Sequence, residues 1–161
     1  MDKKRWNRWK VYALWIAAAE GAGALSGLIS RQGMKLYNDT VAKPPLSPPP
    51  AVFPAVWTVL YALMGIGMAR VWLTPPSAAR NDCRRIFLLQ LAFNFCWSLL
   101  FFNFQIYGFA LLWLAVLWGL ILWMLLSFRR LDAPAGRLQL PYLLWVAFAA
   151  YLKLGVWLLN R

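Results

Sequence analysis

At 161 residues, of which 62% are apolar and only 14% charged, the chain has too little polarity to cover a water-soluble globule. The formal charge of +12 does not mark a nucleic-acid binder, because the cations sit between apolar runs rather than on one polar surface beside stacking aromatics; membrane orientation and anionic head groups select that placement. Histidine is absent, which removes the commonest general base and haem ligand, while Cys83 and Cys96 fall in a basic connection and an apolar run, a separation in depth that argues against a structural disulfide.

A helix needs about 20 mainly apolar residues to cross a hydrocarbon core about 30 Å thick, and five such stretches account for most of the chain. The expected architecture is all-α, a five-transmembrane-helix bundle in one integral membrane domain, residues 1–161. The first span runs from Val11 to Ser30; although the basic segment before it looks like the start of a signal peptide, the apolar run is as long as a full span and reads as a retained helix. Within it Ala19, Gly23 and Gly27 recur at four-residue spacing, a stripe that suits close helix packing either inside the bundle or across a dimer.

Residues 31–50 form a long connection without evident regular structure, the kind of segment that often serves as a lid. Its second half, Lys43-Pro44-Pro45-Leu46-Ser47-Pro48-Pro49-Pro50, has five proline-fixed φ angles and should be stiff. The second span follows over 51–73, with Pro54 tolerable in a first turn. After a polar, basic connection over 74–85 the third span is expected at 86–104, the fourth at 109–128 after a very short turn, and the fifth at 140–159, opening on Pro141.

With five crossings, the N-terminus and the second and fourth connections share a side. They collect Lys3, Lys4, Arg5, Arg8, Lys10, Arg70, Arg80, Arg84, Arg85, Arg129, Arg130 and Arg137, 12 of the 17 cations. Against Arg31, Lys35, Lys43 and Arg161 opposite, this bias places the N-terminus in the cytoplasm of a bacterial-type cell membrane and the lid outside, with an outer-membrane location as a minor alternative.

Polar groups inside the spans are the candidates for function. Glu20 should face protein or a water-filled cavity, either as a proton site or counter-ion or as a neutral, hydrogen-bonded carboxyl. Lys153, the deep cation of the fifth span, can be read as snorkelling toward the interface or as part of a coupled site with Glu20. Asn94 and Ser98, at i and i+4 with Trp97 between them, can line one wall of a site or hold helices together. Trp6, Trp9, Trp72 and Trp157, near span ends, read as interfacial anchors, while Trp57, Trp97 and Trp145 lie deeper and suit stacking on a flat aromatic ligand.

Three stretches taken together carry a specific resemblance: Asn38-Asp39-Thr40-Val41-Ala42-Lys43 and the proline run on to Trp57, whose helix continues Trp-Thr-Val-Leu to Tyr61; Asn94 to Ser98; and Pro141-Tyr142-Leu143-Leu144-Trp145 on to Asn160. Over essentially its whole length the chain resembles the translocator protein family, also called tryptophan-rich sensory proteins or peripheral benzodiazepine receptors. That resemblance implies a bundle of five helices, commonly a homodimer, with a pocket beneath the first loop that binds porphyrins, haem and synthetic isoquinoline or benzodiazepine ligands. The matching positions are Asp39 and the proline-rich loop with Pro48 as lid, Trp57 and Tyr61, Asn94, Trp97 and Ser98, and Trp145 with Ala149. No cofactor is required, no metal site is implied, and protoporphyrin IX or haem is the expected ligand.

Two departures from the family pattern stand out. An aromatic pair usually precedes the loop Asp, where this chain has Tyr37 and Asn38, and the animal cholesterol motif is altered at Lys153 and Leu154. Val146, Tyr151 and Lys153 meet only the loose sterol pattern, so a sterol-like lipid partner is a weak expectation. A flat apolar macrocycle with propionate edges wants aromatic faces and nearby cations, which Trp57, Trp145, Lys35 and Lys43 can supply. A membrane tetrapyrrole sensor or carrier is therefore expected, with a proton-coupled small-molecule or lipid transporter, or light-dependent porphyrin breakdown at Trp57 and Trp145, as alternatives.

Overall fold

The computed structural model describes the backbone of residues 3–161 and the side chains of residues 7–161, so Lys3, Lys4, Arg5 and Trp6, named above for charge and anchoring, lie outside the described side chains. The elements are α1 (Lys3–Ile29), α2 (Arg31–Thr40), α3 (Val52–Trp72), α4 (Ala78–Ser98), a π-helical turn (Leu99–Asn103), α5 (Tyr107–Leu131), α6 (Ala133–Arg137) and α7 (Leu140–Leu159). Five stretches are long and apolar enough to cross a membrane: Asn7–Ile29, Val52–Trp72, Ala78–Asn103, Tyr107–Leu131 and Ala133–Leu159. Large apolar side chains such as Leu14, Leu28, Val59, Leu112 and Leu144 point outward, whereas Gln90, Asn94, Gln139 and Lys153 are buried. Lipid accepts such an exterior without cost, and the polar groups turn to the protein interior. The chain is a multi-pass membrane protein.

The last crossing stretch starts at Ala133, seven residues before the expected 140, because the connection ahead of it is itself helical, and two further boundaries differ by more. Residues 31–40, read above as irregular, form helix α2. Met34 and Tyr37 lie half-buried one turn apart while Arg31, Gln32, Lys35 and Asp39 face out, so a short amphipathic helix lies over the bundle. It stops before Pro44 and Pro45, with Val41 already extended. The third span starts eight residues earlier than Ile86, at Ala78. Ser77 caps it by accepting from the Arg80 amide, and Arg80 turns back to donate to the Trp72 and Thr74 carbonyls at the end of α3.

α1 packs along α3, where Ala19 is fully buried and Gly65 lets the backbone at Ile16 come close. Gly23 sits against the Tyr61 ring in the same way, so at Ala19 and Gly23 the small-residue stripe serves packing within the bundle. α4 and α5 form an antiparallel pair, with Trp113 stacked on Phe93 at 4.4 Å and donating to its carbonyl. Cys83 and Cys96 are free thiols.

At the end of the bundle that holds the second and fourth connections, Arg70 makes a two-pronged ion pair with Asp132, 3.0 Å on each arm, and Asp132 also accepts from the Ala135 amide as the cap of α6. Burial works against ionisation of Asp132, but the Arg70 guanidinium and the Ala135 amide outweigh it and hold the carboxyl below its usual range. Because the folded state favours the charged form, the stabilisation is present above the ordinary carboxylate pKa and is lost as pH falls through the lowered value. Asp132→Ala is expected to cost on the order of 1–2 kcal/mol through the lost cap and partly exposed ion pair. The check is a thermal melt in detergent, with the gap to wild type open at neutral pH and closing in acid.

Candidate functional site

Under α2 and the proline segment the bundle encloses a cavity of about 440 Å³. Its floor is built by three helices. The Tyr61 hydroxyl donates to Asn94 Oδ1 at 2.8 Å, Asn94 Nδ2 donates to the Tyr142 hydroxyl at 2.7 Å, and that hydroxyl donates onward to Gln90 Oε1 at 3.0 Å. This buried relay ties α3, α4 and α7 together and occupies both ends of the Asn94 amide. Asn94 thus lines the cavity and holds the helices at once, so the two roles open in the sequence are one arrangement here.

The side walls are aromatic. Trp57, on the second turn of α3, lies 5.5 Å from Tyr61 and 6.1 Å from Tyr142 between ring centres. Trp145 from α7 stands edge-on to Phe53 at 5.9 Å, and Trp97 from α4 stacks on Phe101 at 5.4 Å. The indole nitrogens of Trp97 and Trp145 are buried with no hydrogen-bond partner among the described residues. Neither nitrogen opens onto the hollow, so both are unpaired donors packed behind its wall. Trp145 also borders an outward-facing apolar groove between α3 and α7, with Val56, Leu144 and Phe148.

The roof comes from α2, the loop after it and the π turn. Met34, Tyr37, Asn38 and Pro50 line the cavity. The loop is fastened to α7: the Asn160 amide pairs with both backbone groups of Ala42, at 3.1 and 2.9 Å, Pro44 is buried against Gly155, and the Tyr151 hydroxyl donates to the Pro45 carbonyl at 3.4 Å. The wider π turn, closed by Phe104 N–H to Leu99 O at 3.0 Å, crowds Phe101 and Phe102 onto the inner face, and both rings meet Tyr37 edge-on at 5.4 Å. Burial and the neighbouring Tyr107 push the Tyr37 phenol up to about 12, so it stays neutral.

Of the residues named from the sequence, Trp57, Tyr61, Asn94, Trp97, Ser98, Trp145 and Ala149 converge on this cavity. Asp39 and Pro48 do not: Asp39 faces outward from α2, and Pro50 takes the place in the wall expected of Pro48. Lys35 and Lys43 also stay out of the wall; Lys35 is exposed and Lys43 donates to the Asn38 carbonyl and side chain. Snorkelling is overturned for Lys153, which is 3% exposed and lines the cavity together with Glu20. Met34, Phe53 and Phe102 were missed. Their only sequence signal is apolar spacing, which any packed helix shows.

Residues 14–158 match the TspO/MBR family. The chain is 34% identical over 151 residues to the tryptophan-rich protein TspO of Chlorobaculum tepidum, covering 92% of this chain and 94% of that one. It is 33% identical over 152 residues to the tryptophan-rich sensory protein of Cereibacter sphaeroides, covering 94% and 92%, and 32% identical over 135 residues to the translocator protein of Ovis aries, covering 83% and 79%. The chain belongs to the TspO/MBR family. Membership runs from α1 to the end of α7, so it takes in every helix that lines the cavity. In this TspO/MBR protein the resemblance read from the loop, the third span and the fifth span thus extends to the whole bundle.

Proposed function

We propose that the cavity is a tetrapyrrole site and that the protein is a membrane sensor or carrier of porphyrin or haem. The observation that carries this is the wall itself: Trp57, Trp97 and Trp145 offer aromatic surface around one hollow, with the Lys153 side chain at its roof. A flat apolar macrocycle with acidic groups at its edge suits both features. Lacking histidine, the chain holds the macrocycle without His ligation of iron. The charge bias orients the N-terminus to the cytoplasm and the α2 roof to the outside of a bacterial-type membrane.

Titration of the purified protein in nanodiscs with protoporphyrin IX tests this. Saturable quenching of tryptophan fluorescence is expected, with a similar midpoint for the metal-free and iron forms. Quenching that stays linear in ligand, as for empty-bilayer partitioning, would sink the proposal.

A further inference from the structure

Lys153 has an environment that the bundle alone does not explain. Its Nζ lies 4.1 Å from the centre of the Phe101 ring, 4.7 Å from Tyr37, 5.3 Å from Phe102, 5.7 Å from Trp97 and 5.9 Å from Phe53. Ring faces attract an ammonium but do not replace the hydrogen bonds it loses on leaving water. No hydrogen bond or ion pair reaches this Nζ among the described residues, where the ion pairs are those of Arg70 with Asp132 and Arg85 with Asp82. The side chain is buried and lines the cavity at its roof. It is a donor held ready in the cavity beneath α2.

The cavity's own carboxylate is at the other end. Glu20 precedes Gly23 by one turn of α1, and Gly23 packs on the Tyr61 ring of the floor. Lys153 lies eleven residues beyond Tyr142 on α7, so its backbone stands about 16 Å further along the axis toward the roof. An acidic ligand is therefore drawn toward the roof and repelled from the floor, and the apolar body between meets Trp57, Trp97 and Trp145.

We infer that Lys153 is the specificity-determining residue of this cavity, selecting flat apolar ligands that carry a carboxylate and seating them with the acidic edge under α2. The inference rests on the tetrapyrrole reading for the ligand class, since a propionate-bearing porphyrin is such an acid, but its chemistry requires only the carboxylate. A charge-assisted hydrogen bond from a desolvated ammonium is among the stronger single contacts available to a ligand.

The test compares protoporphyrin IX with its dimethyl ester, titrated into wild type, Lys153→Met and Lys153→Arg in nanodiscs. The readout is the ratio of acid to ester affinity, in which bilayer partitioning cancels between variants. The ratio is expected to fall about tenfold in Lys153→Met and to be largely kept in Lys153→Arg. An unchanged ratio in a Lys153→Met protein that melts like wild type would overturn the inference, as would a wild type that prefers the ester. Should Lys153→Met fail to fold, Lys153→Gln replaces it under the same criteria. If neither porphyrin form binds saturably, the tetrapyrrole reading fails, and the same comparison with pyrenebutyrate and its methyl ester decides for Lys153: a tenfold drop upholds it, and no drop or no binding overturns it.

Discussion

Trp57→Ala combined with Trp145→Ala is expected to weaken protoporphyrin binding by at least about thirtyfold, at on the order of 1–3 kcal/mol for each aromatic face removed from a stacked ligand. The two indoles stand on different helices, α3 and α7, and pair with different rings: Trp57 leans on Tyr61 and Tyr142, Trp145 on Phe53 and Phe148. Their losses should thus come close to adding. Trp57→Phe and Trp145→Phe should recover most of the affinity, because a smaller ring keeps the face. Trp123, 61% exposed on the lipid side, is the control, and Trp123→Ala should leave binding unchanged. Full affinity in the double alanine variant would remove the aromatic walls from any account of the site.

The largest effect on stability is expected at Gly65. A Cβ there would sit 2.5 Å from Ile16 Cα, 2.7 Å from Ile16 N and 2.8 Å from Trp15 O, all backbone atoms of α1 that cannot swing aside. Gly65→Val should therefore push α1 off α3, at a cost of about 1–3 kcal/mol or more, since overpacking in a close helix contact has no side-chain escape. A lower melting temperature in detergent is the first readout. The second is ligand binding, because α1 carries Glu20, Gly23, Ala24 and Gly27 of the cavity wall and moves with the contact. At Gly119 a Cβ would meet nothing within 4 Å, so Gly119→Val should melt within error of wild type. Equal melting of the two variants would show that α1 is not held where the glycine contact places it.

The five spans were legible because a membrane helix satisfies its own backbone, so length and hydropathy of a local stretch suffice to find it. The tryptophans and the Asn94–Ser98 pair were legible as family motifs, whose order along the chain survives any detail of packing. The ten residues of α2 were not, because their apolar face is only Met34 and Tyr37 and gains its value from the bundle it covers. The early start of α4 was hidden for a similar reason: Ser77 and Arg80 act by capping and by reaching the end of α3, not by hydropathy.

Lys153 shows the division most clearly. The sequence determined that a cation stands two turns from the end of the last helix, and by that rule alone it could reach the interface. Only the tertiary structure decided otherwise, because the rotation of α7 and the π turn after α4 enclose its ammonium among Tyr37, Phe101 and Phe102. Depth along a helix is a property of one segment and can be counted from residues. Which way a side chain faces depends on how helices distant in sequence rotate against one another, and no single segment contains that information.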